Sequence, residues 1–235
     1  MTQTAKTKKA FFVTGTDTDV GKTLITAGLL VAAKNRGLST AALKPLAAGC
    51  EKTEQGLRNG DALILQSAMT ESFIYEQINP IALQAAIAPH IAAQQEKRSI
   101  SADRLVGFCR GSLGIADVTF IEGAGGWRVP INPRETMADF ANNLQLPVIL
   151  VVGVRLGCLN HALLTFEAIV RDGLPVAGWV ANCVDEHMPA LAENIESLCV
   201  RLPIPCLAVI PYLQQPTPDA VAACFELPAL QHLVP

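Results

Sequence analysis

The stretch Thr14–Thr23, which reads TGTDTDVGKT, constrains the fold of this chain more than any other stretch. It follows the apolar residues 10–13, which predict a buried strand, and it precedes residues 24–35, which predict a helix. A glycine-containing turn between a strand and a helix leaves backbone N–H groups unpaired at the positive end of the helix dipole, where phosphate binds readily. In such a loop Lys22 would reach the outer phosphates, and the Thr23 hydroxyl would hold a magnesium ion. The stretch therefore predicts a nucleoside triphosphate site.

The glycine spacing of this loop departs from the usual phosphate-loop pattern. That pattern has four residues between its first glycine and the Gly-Lys-Ser/Thr sequence. Here Gly15 lies one position too early, so Thr16 occupies the place of the first glycine. The alternative is an ordinary strand-to-helix turn that happens to carry Lys-Thr. The strand, turn and helix context favours the nucleotide site.

Composition limits the class of protein. A chain of 235 residues, 50% hydrophobic and 17% charged, suits one α/β domain and is cramped for two. We expect residues 1–9 to be a flexible lead-in and residues 10–235 to form a single domain. The net charge of −3 favours neither nucleic acid nor anionic lipid as a partner. Seven dispersed cysteines and no apolar run of membrane length predict a soluble cytoplasmic protein with reduced, buried thiols.

Short apolar runs with the length of strands alternate with longer helical segments along the chain. This alternation is typical of an α/β fold of the phosphate-loop type, a mostly parallel β-sheet with helices on both faces. Strands are expected at about residues 10–15, 40–44, 117–122, 147–153, 176–182 and 205–210. Helices are expected at about residues 21–35, 61–69, 100–113, 136–144, 158–172, 188–201 and 217–225. Residues 46–98 contain no clear strand, and their first part, 46–60, predicts a mobile loop.

Polar residues directly follow several of the predicted strands, at the edge of a parallel sheet where ligands bind. Lys44 ends the second strand, where a charge needs either a salt bridge or an anionic ligand. Glu122 ends the third strand ahead of a glycine-rich turn, and with Thr23 it would supply two ligands for Mg²⁺. Asp61 is either the N-cap of the next helix or a third ligand. Together these residues predict a nucleotide and metal site at one edge of the sheet.

Five motifs keep the order that they have in one enzyme family. They are Gly15–Thr23, Lys44-Pro45, Glu122–Gly126, Gly157–His161 and Gly178–Asn182. Over about residues 11–213 they resemble dethiobiotin synthetase, a family that uses the same variant of the phosphate loop. The resemblance implies the penultimate step of biotin biosynthesis, in which 7,8-diaminononanoate (7,8-diaminopelargonate), CO₂ and ATP give dethiobiotin, ADP and phosphate. It also implies a carbamate and a carbamic-phosphoric mixed anhydride as intermediates, and Mg²⁺ as the cofactor.

The resemblance further implies roles for individual residues. Lys44, Lys22 and Thr18 would be catalytic, and Thr23, Asp61 and Glu122 would hold Mg²⁺. ATP would contact Asp19, Val20, Gly21, Lys22, Thr23, Leu24, Asp61, Glu122, Gly123, Ala124, Gly125, Asn182, Pro211, Tyr212 and Leu213, the last four at the adenine. The diamine would contact Thr18, Lys44, Ala48, Gly157, Cys158, Leu159 and Asn160. The last four of these would come from the other subunit of a homodimer, where a helix N-terminus meets the substrate carboxylate.

Two positions depart from the family pattern. Ala48 stands where the family commonly has a serine near the substrate, so a hydroxyl contact is lost or supplied by water. Asp219 lies one step later than the acidic residue that the family often places at the nucleotide sugar, which leaves the nucleotide preference open. The alternative function is a ParA/MinD-like nucleotide-switch ATPase. Such proteins carry a lysine early in the phosphate loop, and residues 14–19 contain none.

Overall fold

A computed structural model describes residues 8–226 and residue 233. The strands are β1 (Lys9–Gly15), β2 (Thr40–Leu43), β3 (Leu46–Ala47), β4 (Glu51–Thr53), β5 (Gly56–Arg58), β6 (Ile81–Ala82), β7 (Val118–Gly126), β8 (Val148–Val154), β9 (Val176–Cys183) and β10 (Cys206–Ile210). The helices are α1 (Lys22–Lys34), α2 (Gly60–Ala68), α3 (Tyr75–Ile78), α4 (Pro89–Gln95), α5 (Ala102–Arg110), α6 (Met137–Leu144), α7 (Cys158–Arg171), α8 (Leu191–Arg201) and α9 (Pro218–Ala222). Residues 1–7 of the expected lead-in lie outside the described residues.

Six strands form one sheet in the order β10-β9-β8-β1-β7-β2, and every pair in it is parallel. β1 is central, with β7 on one side and β8 on the other. All seven residues of β8 are buried. Because successive side chains of a strand point to opposite faces, both faces of the sheet must be covered. The predicted fold class, a mostly parallel sheet with helices on both faces, is confirmed.

The chain order explains how the helices reach both faces. The crossover from β1 to β2 runs toward one edge of the sheet, whereas the later crossovers from β7 through β10 run toward the other edge. Right-handed crossovers in opposite directions place their helices on opposite faces. α1 therefore covers one face, with α9 packed against it, and α6, α7 and α8 cover the other.

The region 46–98 was wrongly predicted to lack strands. β3 and β6 form a parallel pair, and β4 and β5 form an antiparallel hairpin. These strands have only two or three residues each, which is too short to produce a recognisable alternation of apolar and polar side chains. The hairpin strand β4 is also fully exposed, so its sequence is as polar as that of a loop.

Two further expectations need correction. β7 does not stop at Glu122 but continues through the glycines to Gly126, with an irregular register against β1 between Val13 and Gly15. All seven cysteines are free thiols, but only four are buried, and Cys199 is exposed. Among the described residues, none of the helices combines the length and the apolar character that crossing a membrane requires.

Aromatic rings close the core beneath the site. Phe12 of β1 has no exposed surface, and its ring lies edge-on to Trp127 and to Phe140, with centroid distances of 6.2 and 5.7 Å. Because Phe12 immediately precedes the residues that lead into the phosphate loop, this packing ties the loop to the sheet.

We expect Phe12→Ala to lower the free energy of unfolding by about 3–5 kcal/mol, since it leaves a cavity under the central strand. Urea denaturation of the purified protein measures this loss. Val200→Ala is the matched control, because Val200 is 81% exposed and its truncation should change stability by less than about 0.5 kcal/mol. Equal, small losses in both variants would contradict the assignment of Phe12 to the core.

Candidate active site

The loop between β1 and α1 has the backbone that a phosphate-binding turn requires. Gly21 is the N-cap of α1 with a φ of 86°, and Asp19 also lies in the left-handed region with a φ of 57°. A Cβ atom at position 21 would lie 2.3 Å from the Asn182 side chain, so both the backbone conformation and the packing require glycine here. The loop therefore presents the first N–H groups of α1 to the end of the sheet.

Neighbouring strand ends hold the outer side of the loop. The Asn182 side chain, at the end of β9, donates a hydrogen bond of 2.9 Å to the Val20 carbonyl. Arg155, just after β8, forms a 2.8 Å ion pair with the carboxylate of Asp17. The same carboxylate accepts the N–H of Thr18 at 2.8 Å. The loop is thus fixed by contacts that the parallel sheet brings to one edge.

Lys22 lies inside the loop and is buried. Its Nζ donates a hydrogen bond of 2.8 Å to the Asp17 carbonyl. Burial, together with the nearby charge of Lys44, lowers the pKa of Lys22 to about 8. A phosphate group beside Lys22 would favour the charged form of this lysine and raise its pKa again.

Two carboxylates and a lysine form the centre of the site. The Lys44 Nζ lies 2.5 Å from Glu122 Oε1 and 2.8 Å from Asp61 Oδ2. Glu122 Oε1 also accepts the Thr23 hydroxyl at 2.7 Å. Burial would lower the pKa of Lys44, but the charges of Glu122 and Asp61 outweigh it and raise that pKa. Burial would likewise raise the pKa of Asp61, but the charge of Lys44 and the hydrogen bonds from Lys44 and Thr23 together outweigh it and lower that pKa.

Asp61 is not the N-cap of α2, which was the structural alternative for this residue. Asn59 is the N-cap, and its side chain accepts the N–H of Ala62 at 3.2 Å. Asp61 lies inside the first turn, with its carboxylate on Lys44. The structure therefore brings Asp61 into the same cluster as Thr23 and Glu122, as the sequence predicted for metal ligands.

The backbone of Lys44 is anchored on both sides. Its N–H donates to the Ile78 carbonyl at 2.9 Å, and its carbonyl accepts the buried Asn79 side chain at 2.7 Å. Asn79 is in turn held by the Tyr75 hydroxyl at 3.0 Å. The segment around α3, which the sequence did not define, thus fixes where the Lys44 side chain starts.

Two cavities meet at this cluster. The smaller has a volume of about 300 Å³ and lies over the phosphate loop, lined by Gly21, Lys22, Thr23, Leu24, Ile64 and Glu122. The larger has a volume of about 600 Å³ and is walled mainly by apolar residues, among them Ala47, Ala48, Ala86, Ile87, Pro89 and Val129. Both are lined by Thr18, Asp19, Lys44, Asp61 and Gly125. One charged junction therefore faces a cavity lined mainly by polar residues and another lined mainly by apolar residues, here called the polar and the apolar cavity.

The donor set at the junction fits a magnesium ion. Glu122 Oε2 is buried and has no hydrogen-bond partner in the described part of the chain, although the other oxygen of the same carboxylate has two. A hydroxyl and two carboxylates are hard oxygen ligands, and Mg²⁺ usually completes its shell with phosphate oxygens and water. Among the described residues no group of three His, Cys, Asp or Glu side chains could by itself hold a metal.

Comparison with known proteins decides the family. A family model described as an AAA domain matches residues 9–220. ATP-dependent dethiobiotin synthetase BioD of Cellvibrio japonicus is 66% identical over 223 residues, which cover 95% of this chain and 98% of that protein. The enzyme of the same name from Pseudomonas aeruginosa is 58% identical over 219 residues, covering 93% and 96%. The chain belongs to the dethiobiotin synthetase family.

Solved structures agree with the fold. The septum site-determining protein MinD of Pyrococcus horikoshii, complexed with Mg-ADP, aligns with a TM-score of 0.53 at 17% identity. The alignment covers 96% of this chain and 89% of MinD. At such low identity the likeness shows the shared fold alone, so the ParA/MinD-like alternative rests on distant similarity, whereas the dethiobiotin synthetases match nearly the whole sequence.

Some residues that the dethiobiotin synthetase pattern assigns to the site lie away from both cavities. Residues 157–160 begin α7 and line neither cavity. Residues 211–213 follow β10 at the surface and also line neither. Asn182 is buried, with its side-chain nitrogen bonded to the phosphate loop. The adenine and partner-subunit contacts therefore stay predictions.

The far wall of the larger cavity was not predicted from the sequence. Residues 86–89 line it, together with Val129 and Pro130. Residues 86–89 belong to the region without a clear pattern, and Ala and Ile side chains carry no chemical signal of a site. Only Pro89 at the start of α4 hinted at a defined position, since proline is favoured in the first turn of a helix.

The lowered pKa of Lys22 predicts a pH-dependent stability. Between about pH 8 and the ordinary value of 10.5, the folded protein has lost this proton and the unfolded chain still holds it. The destabilising effect of burying the charge is therefore fully present below pH 8 and fades as the pH rises to 10.5. We expect the stability of Lys22→Met relative to the unmodified protein to fall between pH 7 and pH 10, as measured by urea unfolding. Lys52→Met, at an exposed position, should show no such trend, and a constant difference for Lys22→Met would contradict the prediction.

Proposed function

We propose that this protein is an ATP-dependent dethiobiotin synthetase that acts on 7,8-diaminononanoate and CO₂. The observation that carries the proposal is the junction of the two cavities. The polar cavity has the amides, lysine and hydroxyl that a triphosphate needs, and the apolar cavity suits an aliphatic chain. Lys44, Thr18 and Asp19 face both, so a phosphoryl group in one cavity would meet a polar end of a substrate in the other.

The reaction follows from what these residues can do. An amine of the substrate adds to CO₂ and loses a proton, which gives a carbamate. A carbamate oxygen attacks the γ-phosphorus of ATP, and the bond from phosphorus to the ADP oxygen breaks. The second amine then attacks the carbonyl carbon of the mixed anhydride and expels phosphate, closing the ureido ring. Each step needs positioning and charge neutralisation more than covalent help from the protein.

Lysines supply the positive charge for these steps. Lys22 and the amides from Asp19 to Leu24 would hold the phosphates, with Gly123, Ala124 and Gly125 behind them. Lys44 would neutralise the carbamate and the transferring phosphoryl group, and Thr18 would contact the reacting end of the diamine. Mg²⁺ on Thr23, Asp61 and Glu122 would supply further positive charge at the phosphate oxygens.

The walls of the larger cavity explain how the diamine would lie. Ala47, Ala48 and residues 86–89 form an apolar lining for the carbon chain. With Ala48 the wall has no hydroxyl at this point, so the reacting amines would depend on Thr18 and Lys44 for polar contacts. In the nucleotide, the adenine would rest near Asn182 and residues 211–213, and its sugar would face residues 214–219.

The substrate carboxylate needs a site that this subunit does not place in the cavity. The N-terminus of α7, Gly157–Asn160, has no side-chain cap, and although the Cys158 N–H donates to the Arg155 carbonyl at 2.9 Å, the positive end of the helix would suit a carboxylate. The neighbouring side chains of Leu156 and Leu164 are 88% and 57% exposed, as expected for an apolar surface that another subunit covers. We therefore propose a homodimer in which α7 of each subunit completes the site of the other. A cytoplasmic location stays a prediction.

The test of the reaction is a four-component assay. We expect dethiobiotin and stoichiometric phosphate only when the diamine, CO₂, ATP and Mg²⁺ are all present, because phosphoryl transfer needs the carbamate as its acceptor. Product is identified by mass spectrometry, and phosphate is measured in parallel. The control omits the diamine alone. Equal ATP turnover without the diamine would reject the proposal.

The test of the shared site uses Asn160→Asp, which adds a negative charge to the first turn of α7. An acidic residue there stabilises the helix but repels the substrate carboxylate. We expect the KM for the diamine to rise about three- to tenfold, with the KM for ATP unchanged.

Mixing the Asn160→Asp variant with a Lys44→Ala variant then tests which subunit supplies each residue to a site. In a mixed dimer one site has its own Lys44 and the unaltered Asn160 of the partner. Random exchange of subunits should restore about a quarter of the normal sites in a symmetric dimer. Measured at a low concentration of diamine, activity in the mixture no greater than the sum of the two variants would place Asn160 in the same subunit as Lys44.

A further inference from the structure

The Lys44 ammonium occupies the same carboxylates that are proposed to hold the metal. It contacts Glu122 Oε1 at 2.5 Å and Asp61 Oδ2 at 2.8 Å, and it shares that Glu122 oxygen with the Thr23 hydroxyl. Each of the three proposed ligand residues therefore has an oxygen that contacts this lysine or another ligand, and of their buried side-chain oxygens only Glu122 Oε2 is left without a partner among the described residues. A dication held by these oxygens would be repelled strongly by the Lys44 ammonium beside them.

Lys44 can leave these contacts without a change of fold. Its backbone is fixed by Ile78 and Asn79, but four carbons separate Nζ from that anchor. The side chain lines both cavities, so a short swing takes the ammonium from the carboxylates to the space where a phosphoryl group and a carbamate would meet. Leaving is unfavourable without a replacement, because Glu122 has no exposed side-chain surface and would be buried without a partner.

We propose that Lys44 and the divalent metal exchange at Glu122 and Asp61. Glu122 and Asp61 would hold the metal once ATP is bound, and the released Lys44 ammonium would turn to the transferring phosphoryl group. This inference rests on the proposed function and adds an order of events to it. The triphosphate would supply oxygens for the metal and a new anion for Lys44. The carboxylates therefore keep a cation, and Lys44 keeps an anion, only when nucleotide and metal bind together.

The consequence is that the metal alone binds weakly, because Lys44 competes for its ligands. A general effect of positive charge would also weaken metal binding, and Lys22 allows the two explanations to be separated. Lys22 is a second buried lysine near the cluster, but its Nζ bonds the Asp17 carbonyl and not a carboxylate. Removing Lys22 deletes a nearby positive charge and leaves both Lys44 contacts in place.

The experiment is a titration with Mn²⁺ at pH 7, followed by electron paramagnetic resonance, with no nucleotide or diamine present. The proteins are the unmodified chain, Lys44→Met and Lys22→Met. We expect Lys44→Met to bind Mn²⁺ at least about tenfold more tightly than the unmodified chain. Lys22→Met should change the affinity for Mn²⁺ by less than about threefold, because Lys44 still occupies the carboxylates of Glu122 and Asp61 in this variant. No gain in Lys44→Met, or an equal gain in Lys22→Met, would overturn the proposal.

Two further variants control for misfolding of Lys44→Met and test where the ion binds. Lys44→Gln keeps a hydrogen-bond donor for Glu122, and it replaces Lys44→Met in the titration if the latter does not fold. Adding Glu122→Gln to the Lys44 variant should abolish the gain, and a gain that persists would place the ion elsewhere and reject the exchange. Dethiobiotin formation by the unmodified protein tests the proposed function separately, so failure of one does not imply failure of the other.

Discussion

The buried pair of Glu122 and Lys44 is the interaction on which the site depends. Glu122 lies in a central strand with a side chain that has no exposed surface, and Lys44 follows the edge strand β2 and is nearly as buried. A carboxylate in this position needs a cation, since leaving one partner of a buried pair alone costs about 3–5 kcal/mol. The pair therefore constrains the neighbouring elements, because β2 must lie beside β7 for the two charges to meet.

The register of the sheet turns this constraint into a site. Leu43, the last residue of β2, lies opposite Ile121, and Val13 of β1 lies opposite Glu122. Lys44, Glu122 and the start of the phosphate loop thus reach the same level of the sheet from three separate parts of the sequence. A parallel sheet places all of its carboxyl ends on one edge, so residues that are 78 and 99 positions apart become hydrogen-bonding partners.

The sequence allowed much of the fold to be predicted, because the six long strands and their helices carry strong patterns. The run Val148–Val154 is apolar apart from its glycine, and α7 shows a single apolar stripe. Short elements carried no such signal. β3 and β6 have two residues each, too few to show a strand pattern in the sequence. Residues 86–89, which line the larger cavity, have side chains without distinctive chemistry. The site residues with charges were predictable because charge at a strand end is unusual, but their contacts were not.

The role of Asp61 could not be predicted from its neighbours in the sequence. A short acidic residue at the start of a predicted helix is usually its N-cap, and the local sequence around Asp61 did not distinguish this role from that of a ligand. The cap is Asn59, whose side chain accepts the N–H of Ala62. Asp61 is then left to face Lys44, a contact that depends on where β2 ends. The contact between Asp61 and Lys44 joins two elements that are distant in the sequence, so local helix patterns could not predict it.

The irregular spacing of the phosphate loop has a physical explanation in the same geometry. The residues before Gly21 divide between two tasks. Asp17 ties the loop to Arg155 beyond β8, and its carbonyl holds Lys22. Thr18 and Asp19 instead line both cavities, and Asp19 takes the left-handed backbone conformation in doing so. In a loop with the usual spacing, one residue fewer would have to make both sets of contacts. With the extra residue, Thr18 and Asp19 border the apolar cavity as well as the cavity over the phosphate loop.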